Sequence, residues 1–191
     1  YILLSSLEVF HYGIYVLIIA FIPLVSNFTL SLLQDVVEND VIRFIGEGDE
    51  GRAKRLFLEN VAMQLGTAAV LSIATFLSAE FVASWYDEDI ARLIRIISPL
   101  FLISALYTTM RMLLKVHLRF DIIASRSTVY NILRLVLLSS FIFFTSLDVK
   151  SALIAHVGAS FVAMLIFVPP FLRIYSPWKS ITSSKEWILL K

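Results

Sequence analysis

The sequence predicts an all-α integral membrane protein, a polytopic bundle of about five transmembrane helices. Its 191 residues are 59% hydrophobic with a mean hydropathy of +0.85, whereas soluble domains contain roughly 45–50% apolar residues. Charged residues make up 16% of the chain and fall in clusters separated by long uncharged runs. The basic residues also concentrate in alternate loops. Together these three observations exclude an ordinary soluble domain.

Each predicted span is an uncharged run that is long enough to cross hydrocarbon. A helix needs about 20 apolar residues for this, because no water satisfies the backbone inside the bilayer. Transmembrane strands alternate over only about ten residues, so these longer continuous runs indicate helices. The expected spans are A from Val9 to Gln34, B from about Leu56 to Ala79, C from near Ile90 towards Arg111, D from about Ser127 to Leu147, and E from about Ser151 to Leu172.

Prolines and arginines predict details within three of these spans. Pro23 would kink span A, and Pro99 would lie in the first turns of span C. Arg92 and Arg95 would extend their side chains from the start of span C towards the headgroups. Span E is expected to stop near Pro169 and Pro170.

The distribution of basic residues predicts the sidedness of the bundle. Twelve of the 16 Lys and Arg residues lie in the A–B loop, around the C–D loop or after span E. By the positive-inside rule, we expect these three segments to face the cytoplasm, with Trp85 and Tyr86 at the opposite interface. The twelve residues are Arg43, Arg52, Lys54, Arg55, Arg111, Lys115, Arg119, Arg126, Arg173, Lys179, Lys185 and Lys191.

Composition and motifs also argue against several other functions. The chain has no cysteine, which excludes disulfides and thiolate metal sites, and its net charge of +1 implies no nucleic-acid partner. The three histidines form no cluster with carboxylates at metal-ligand spacing, so we expect no metal or other cofactor. Gly46, Gly48 and Gly51 are spaced like half of a phosphate-binding loop, but no strand and no Gly-Lys-Ser/Thr ending accompany them. No catalytic arrangement predicts an enzyme.

Four segments resemble one family of transporters. VIRFIGEGDEGRAKRL (41–56) is similar to the first cytoplasmic loop of the polysaccharide-biosynthesis, or O-antigen-type, lipid-linked oligosaccharide flippases. EVFHYGIYVL (8–17) resembles the turn before their second helix, and FVASWYDEDIARLIRI (81–96) resembles the outer loop before their fourth. LRFDIIASRSTVYNILRLVL (118–137) resembles the cytoplasmic start of their fifth helix. The similarity follows the order and loop spacing of nearly the whole chain.

The resemblance implies an exporter fold of two helical lobes around a central cavity. Spans A to E would be helices two to six of the N-terminal lobe, which would occupy residues 1–178 with its first helix largely missing. Residues 179–191 would be the connector and the start of the next helix. The implied function is to move a polyprenyl-linked saccharide across the cytoplasmic membrane by alternating access, in contact with membrane lipids. The sequence identifies no coupling ion.

Arg134 is the first candidate binding residue, since it lies eight residues beyond Arg126 and so about 12 Å deeper in the bilayer. An arginine at mid-bilayer costs about 2.5–3.5 kcal/mol on insertion scales. Ser127, Asn131 and Arg134 share one helical face and would form a polar stripe towards a cavity. Arg134 would bind the pyrophosphate of the carrier lipid, with Asn131 and Ser127 beside it. Alternatively, Arg134 extends to headgroups or pairs with a carboxylate, while the other two hold helices together.

Other polar residues have two interpretations each. Arg43 and Arg126 would gather anionic headgroups at the cytoplasmic mouth, or they are ordinary positive-inside anchors. Asp35, Glu38 and Asp40 would hold a coupling ion or form a solvated helix end. A proton relay through His156 is weighed against a histidine that is simply hydrogen-bonded within the bundle.

Two other functions remain open at this stage. A cation-coupled multidrug antiporter of the same fold would need an acidic cavity, yet within spans B to E only Glu59, near one end, is a candidate for a buried carboxylate. A membrane assembly subunit that transports nothing is the third alternative. The charge type favours an anionic substrate.

Overall fold

The computed structural model describes residues 9–26, 34–85, 88–144 and 148–179, and within these ranges the backbone is α-helix joined by short turns. This part of the chain contains no β-strand, which confirms the predicted all-α class. The predicted connector at 179–191 lies outside the described residues except for Lys179. The helices are α1 (Val9–Ser26), α2 (Gln34–Gly46), α3 (Glu50–Ala83), α4 (Glu88–Ile97), α5 (Leu100–Val116), α6 (Phe120–Phe144), α7 (Val149–Leu165) and α8 (Val168–Lys179).

Four stretches of the described chain are long and apolar enough to cross a membrane, and they correspond to predicted spans B to E. Their outward faces carry large apolar side chains such as Leu77 and Phe143, which are 71% and 83% exposed. Surfaces of this kind suit hydrocarbon and not water. The chain is therefore an integral membrane helix bundle. The four stretches are Glu50–Ala83, Ile90–Val116, Phe120–Phe144 and Val149–Trp178.

Predicted span A, from Val9 to Gln34, is described in part. Helix α1 covers the 18 residues Val9–Ser26, with Pro23 inside it, and α2 is described from Gln34. At 1.5 Å per residue the described part of α1 is about 27 Å long, close to a typical hydrocarbon core of ~30 Å. Residues 27–33 lie outside the described ranges.

Helix α3 is longer than the predicted span B because a capped, charged segment precedes the apolar part. Asp49 caps its start by accepting a hydrogen bond from the Arg52 backbone N–H at 3.0 Å. Gly48 forms the turn from α2 with a φ of +79°, a conformation that glycine adopts without strain. The helix continues for 34 residues to Ala83, a length of about 51 Å.

Span C is broken at Pro99, which stands at the N-cap of α5 instead of within the first turns of one helix. A proline cannot donate a backbone hydrogen bond to the carbonyl four residues earlier, here that of Arg95. The Ser98 hydroxyl donates to that carbonyl at 3.0 Å, and the Ser72 hydroxyl of α3 donates to the Ser98 carbonyl at 2.9 Å. The break is therefore tied to a neighbouring helix by a buried hydrogen bond.

Span E also breaks before its proline pair, but the chain continues as helix afterwards. Helix α7 ends at Leu165, and α8 begins at Val168 with Pro169 and Pro170 in its first turn. Proline is tolerated there because the first backbone N–H groups of a helix have no internal partner. The prediction that the helix stops near these prolines therefore identifies a break and misses the helix that follows it.

Two apolar clusters form the interior of the bundle. One joins α1, α3, α4, α5, α6, α7 and α8 and includes Phe101 and Phe167. The other joins α2, the start of α3, the end of α5 and the end of α8, where Trp178 packs on Phe57 with ring centroids 5.8 Å apart. This second cluster brings the three basic segments to the same end of the bundle. Their cytoplasmic orientation remains a prediction.

We expect the Ser72→Ala variant to unfold more easily, because the Ser98 carbonyl at the break loses a buried donor. The loss should be about 1 kcal/mol in the free energy of unfolding, measured by reversible unfolding of the purified protein in mixed micelles. Ser78→Ala is the matched control, since its exposed hydroxyl bonds only to the Thr75 carbonyl in the same helix. Equal losses in the two variants would contradict this account of the break.

Candidate functional site

Arg134 lies half-buried on α6 with its guanidinium turned towards α1. One of its terminal nitrogens donates a hydrogen bond of 2.6 Å to the Tyr15 hydroxyl, and the guanidinium carbon lies 5.9 Å from the centre of the Tyr15 ring. Its Nε atom is buried without a hydrogen-bond partner. Among the described residues no carboxylate pairs with Arg134. Within this part of the chain, its positive charge is thus held by a tyrosine and has no counter-charge.

Arg126 repeats this arrangement two turns earlier on α6, about 12 Å along the helix axis. Its guanidinium carbon lies 3.5 Å above the centre of the Tyr107 ring, so the planar cation stacks on the ring face. The Nε atom of Arg126 is also buried without a hydrogen-bond partner. Within the described residues this arginine likewise has no carboxylate partner.

Tyr130 lies between the two arginines, and its hydroxyl is 2.9 Å from His156 Nδ1 on α7. The two rings are edge to face with centroids 5.7 Å apart. Arg126, Tyr130 and Arg134 are spaced four residues apart, so they follow one face of α6. We refer to these three residues with Tyr15, Tyr107 and His156 as the Arg–Tyr cluster.

The predicted polar stripe of Ser127, Asn131 and Arg134 is divided in the structure. Arg134 points into the bundle, whereas Ser127 and Asn131 are exposed on the adjacent face of α6. Each residue advances 100° around a helix, so Ser127 lies about 20° and Asn131 about 60° from Arg134 around α6. The long side chain of Arg134 reaches inward to Tyr15, whereas the two shorter side chains remain exposed beside it. A binding role for Ser127 and Asn131 stays a prediction.

Arg43 lies on α2, outside the Arg–Tyr cluster. Its guanidinium pairs with Asp40 at 3.0 Å and with Glu47 at 3.8 Å, and its side chain is 58% exposed. Both partners belong to the same helical segment, so this is a solvated surface network. The geometry agrees with the interpretation of Arg43 as an interfacial anchor.

The buried carboxylates in the described part of the bundle are paired with cations. Glu38 is buried and forms an ion pair of 2.5 Å with Lys115 of α5, so the idea that it belongs to a solvated helix end is wrong. Glu59 is also buried and pairs with Arg55 at 2.7 Å. No group of three metal-binding side chains occurs among the described residues.

Sequence reasoning identified both arginines but missed most of their partners. The repeat of Arg126, Tyr130 and Arg134 at four-residue intervals was a readable signal for an inward polar face. Tyr15 gave no such signal, since it is 119 residues from Arg134 along the chain.

Comparison with protein-family models, curated proteins and solved structures found no match, so the site rests on the sequence and the geometry.

We expect Tyr15→Phe to destabilise the bundle by about 1.5–3 kcal/mol, the range for a hydrogen bond to a charged group. The substitution keeps the ring and removes only the oxygen that accepts from Arg134. Unfolding in mixed micelles measures the loss, and Tyr12→Phe on the same helix is the matched control. The hydrogen bond has no structural importance if both variants are as stable as the wild type.

Proposed function

We propose that this chain is a lobe of a transporter that moves an anionic, lipid-linked oligosaccharide across the cytoplasmic membrane in polysaccharide export. The observation that carries the proposal is the pair Arg126 and Arg134, two guanidiniums inside a membrane bundle that lack carboxylate partners among the described residues. An intramembrane charge without a protein counter-charge is expensive, and such charges mark substrate pathways. An anionic substrate would supply what is missing.

A phosphate or pyrophosphate group suits these two side chains. Guanidinium is a planar fork whose paired donors match paired oxygens, and it remains charged in a dry site. Each Nε is buried and still has its hydrogen to donate. Tyr15 and Tyr130 add hydroxyls to the same surface. The Arg–Tyr cluster can therefore bind an oxyanion through several donors.

The positions along α6 suggest a path for the headgroup. Helix α6 begins at the basic end of the bundle, and Arg126 is about 9 Å from its first residue while Arg134 is about 21 Å from it. An anion entering from the basic end would meet Arg126 first and Arg134 next. Ile132, Leu135 and Val136 on α6 are exposed and apolar, so the polyprenyl chain can stay in the bilayer beside the helix.

The antiporter alternative has less support. A cation-coupled multidrug carrier needs a carboxylate that is free to exchange its ion for the drug, whereas Glu38 and Glu59 are each held by a basic residue. The resemblance of the loops to flippases points the same way. Glycosyltransferase genes beside this one would favour the flippase, and an isolated gene would favour the antiporter.

We expect Arg134→Gln to weaken binding of farnesyl pyrophosphate by about thirtyfold, the equivalent of ~2 kcal/mol for one partner of a buried charge pair. Binding is measured by isothermal titration calorimetry on the protein in nanodiscs, with farnesol as the uncharged comparison. Arg111→Gln is the matched control because Arg111 is exposed and outside the cluster. The wild type binding farnesol as well as the pyrophosphate would refute the anion site and favour an assembly subunit.

The proposed orientation can be tested separately, since the chain has no natural cysteine. Glu47→Cys places a thiol at the α2–α3 turn, and Ser84→Cys places one beyond the other end of α3. In intact cells, a membrane-impermeant maleimide should label Ser84→Cys and should label Glu47→Cys only after permeabilisation. The reverse pattern would invert the proposed sidedness.

A further inference from the structure

His156 is the member of the Arg–Tyr cluster whose side chain ordinarily titrates near neutral pH, and among the described residues no carboxylate pairs with it. It is half-buried on α7, about 10 Å from the first residue of that helix, and its Nδ1 is 2.9 Å from the Tyr130 hydroxyl. Arg134 is the charge that acts on the imidazole. The same Arg134 also lies close to the Tyr130 hydroxyl. One tyrosine therefore connects a titratable ring to a guanidinium inside the membrane.

The other helices packed on α7 bring no carboxylate to His156 among the described residues. From α1, the Tyr15 hydroxyl is occupied by Arg134. From α4, Arg95 is paired with Glu80 at 2.5 Å, near the end of α3. On α6, Asp121 is paired with Arg119 near the start of the helix. The other ionisable side chains that the structure describes on these helices are His11 and Tyr12 of α1, Arg92 of α4, Tyr107, Arg111 and Lys115 of α5, Arg126 of α6, Lys150 of α7, and Arg173 and Tyr175 of α8.

We propose that His156 takes up a proton when an anion binds at Arg134, so that the anionic headgroup and a proton occupy the site together. The inference rests on the anion site proposed above and assigns its coupling ion. It also favours the proton-relay interpretation of His156 over that of a histidine that is only hydrogen-bonded.

Electrostatics give the reason for the linkage. With the site empty, a protonated imidazole would be a second cation beside Arg134 in a medium of low dielectric constant, where like charges repel strongly. A bound phosphate cancels the field of Arg134 and attracts the imidazolium. Because coupling between two ligands is reciprocal, the proton must then strengthen anion binding by the same factor as the anion strengthens proton binding.

Protonation of His156 reverses the hydrogen bond between its ring and the Tyr130 hydroxyl. In the neutral ring with its hydrogen on Nε2, Nδ1 accepts the hydrogen of the Tyr130 hydroxyl. The proton comes from the aqueous side and adds to this Nδ1 lone pair, the tyrosine O–H turns away from the ring, and no covalent bond is broken. Both ring nitrogens of an imidazolium carry hydrogen, so Nδ1 must donate to the Tyr130 oxygen. The Tyr130 hydroxyl hydrogen is then left to donate to the bound anion. Protonation thus adds a donor to the anion site.

The test is calorimetric titration of the nanodisc-embedded protein with farnesyl pyrophosphate in two buffers of different ionisation enthalpy, at pH 6 and pH 8. The probe itself titrates in this range, so the quantity of interest is the difference between the wild type and His156→Gln. When the pH falls from 8 to 6, we expect the affinity of the wild type for the probe to rise by about tenfold more than the affinity of the variant does. It should also take up more protons per bound probe. His117→Gln, at the end of α5, should behave as the wild type.

A second measurement does not depend on the variant folding. In wild-type protein with 15N-labelled histidine, the His156 imidazole should be neutral near pH 7 without the probe and protonated when the probe is bound. Unchanged imidazole signals, or equal proton uptake in the wild type and His156→Gln, would overturn the linkage while leaving the anion site intact. Absence of binding by the wild type at both pH values would instead refute the proposed function.

Discussion

Hydrocarbon offers no hydrogen bonds, so each polar group that this chain carries into the bilayer needs a partner from the protein. The bundle meets this constraint mostly by pairing between helices. Ser72 serves the carbonyl of Ser98 at the α4–α5 break, and Lys115 reaches across to Glu38. Among the described residues, the buried Nε atoms of Arg95, Arg126 and Arg134 are exceptions to this rule, and of these three arginines only Arg95 has a carboxylate partner, Glu80. Where a membrane protein leaves donors unfilled, a ligand is the natural partner.

The helix breaks also help to position Arg126. The turn between α7 and α8 places Phe167 edge to face against Tyr107, with centroids 5.6 Å apart. Tyr107 in turn carries the guanidinium of Arg126 on its ring. The position of Arg126 therefore depends on a buried phenylalanine next to the proline pair. A break that interrupts one helix thus fixes a charge on another.

Much of this organisation could be predicted from the sequence, because insertion into hydrocarbon is decided locally by the length and charge of each run. The gaps between charges identified the four long spans, and the alternation of basic residues grouped the loops that meet at Trp178. The partners of Arg134 could not be found in this way, since the pairing with Tyr15 depends on how distant helices pack. Likewise, span C breaks at Ser98 and Pro99, and the break is tolerated because the Ser72 hydroxyl on a neighbouring helix donates to the Ser98 carbonyl. The sequence of span C alone does not show that this hydroxyl is nearby.

Helix α3 has a consequence for the kind of bilayer that suits this protein. Its uncharged run from Asn60 to Ala79 rises about 30 Å, and it is bounded by the Arg55–Glu59 pair at one end and the Glu80–Arg95 pair at the other. In a thicker membrane one of these pairs would be drawn into the acyl chains, and in a thinner one apolar side chains would be left in water. The hydrophobic length of α3 therefore selects a bilayer of matching thickness. The same match fixes how deep Arg134 lies below the membrane surface.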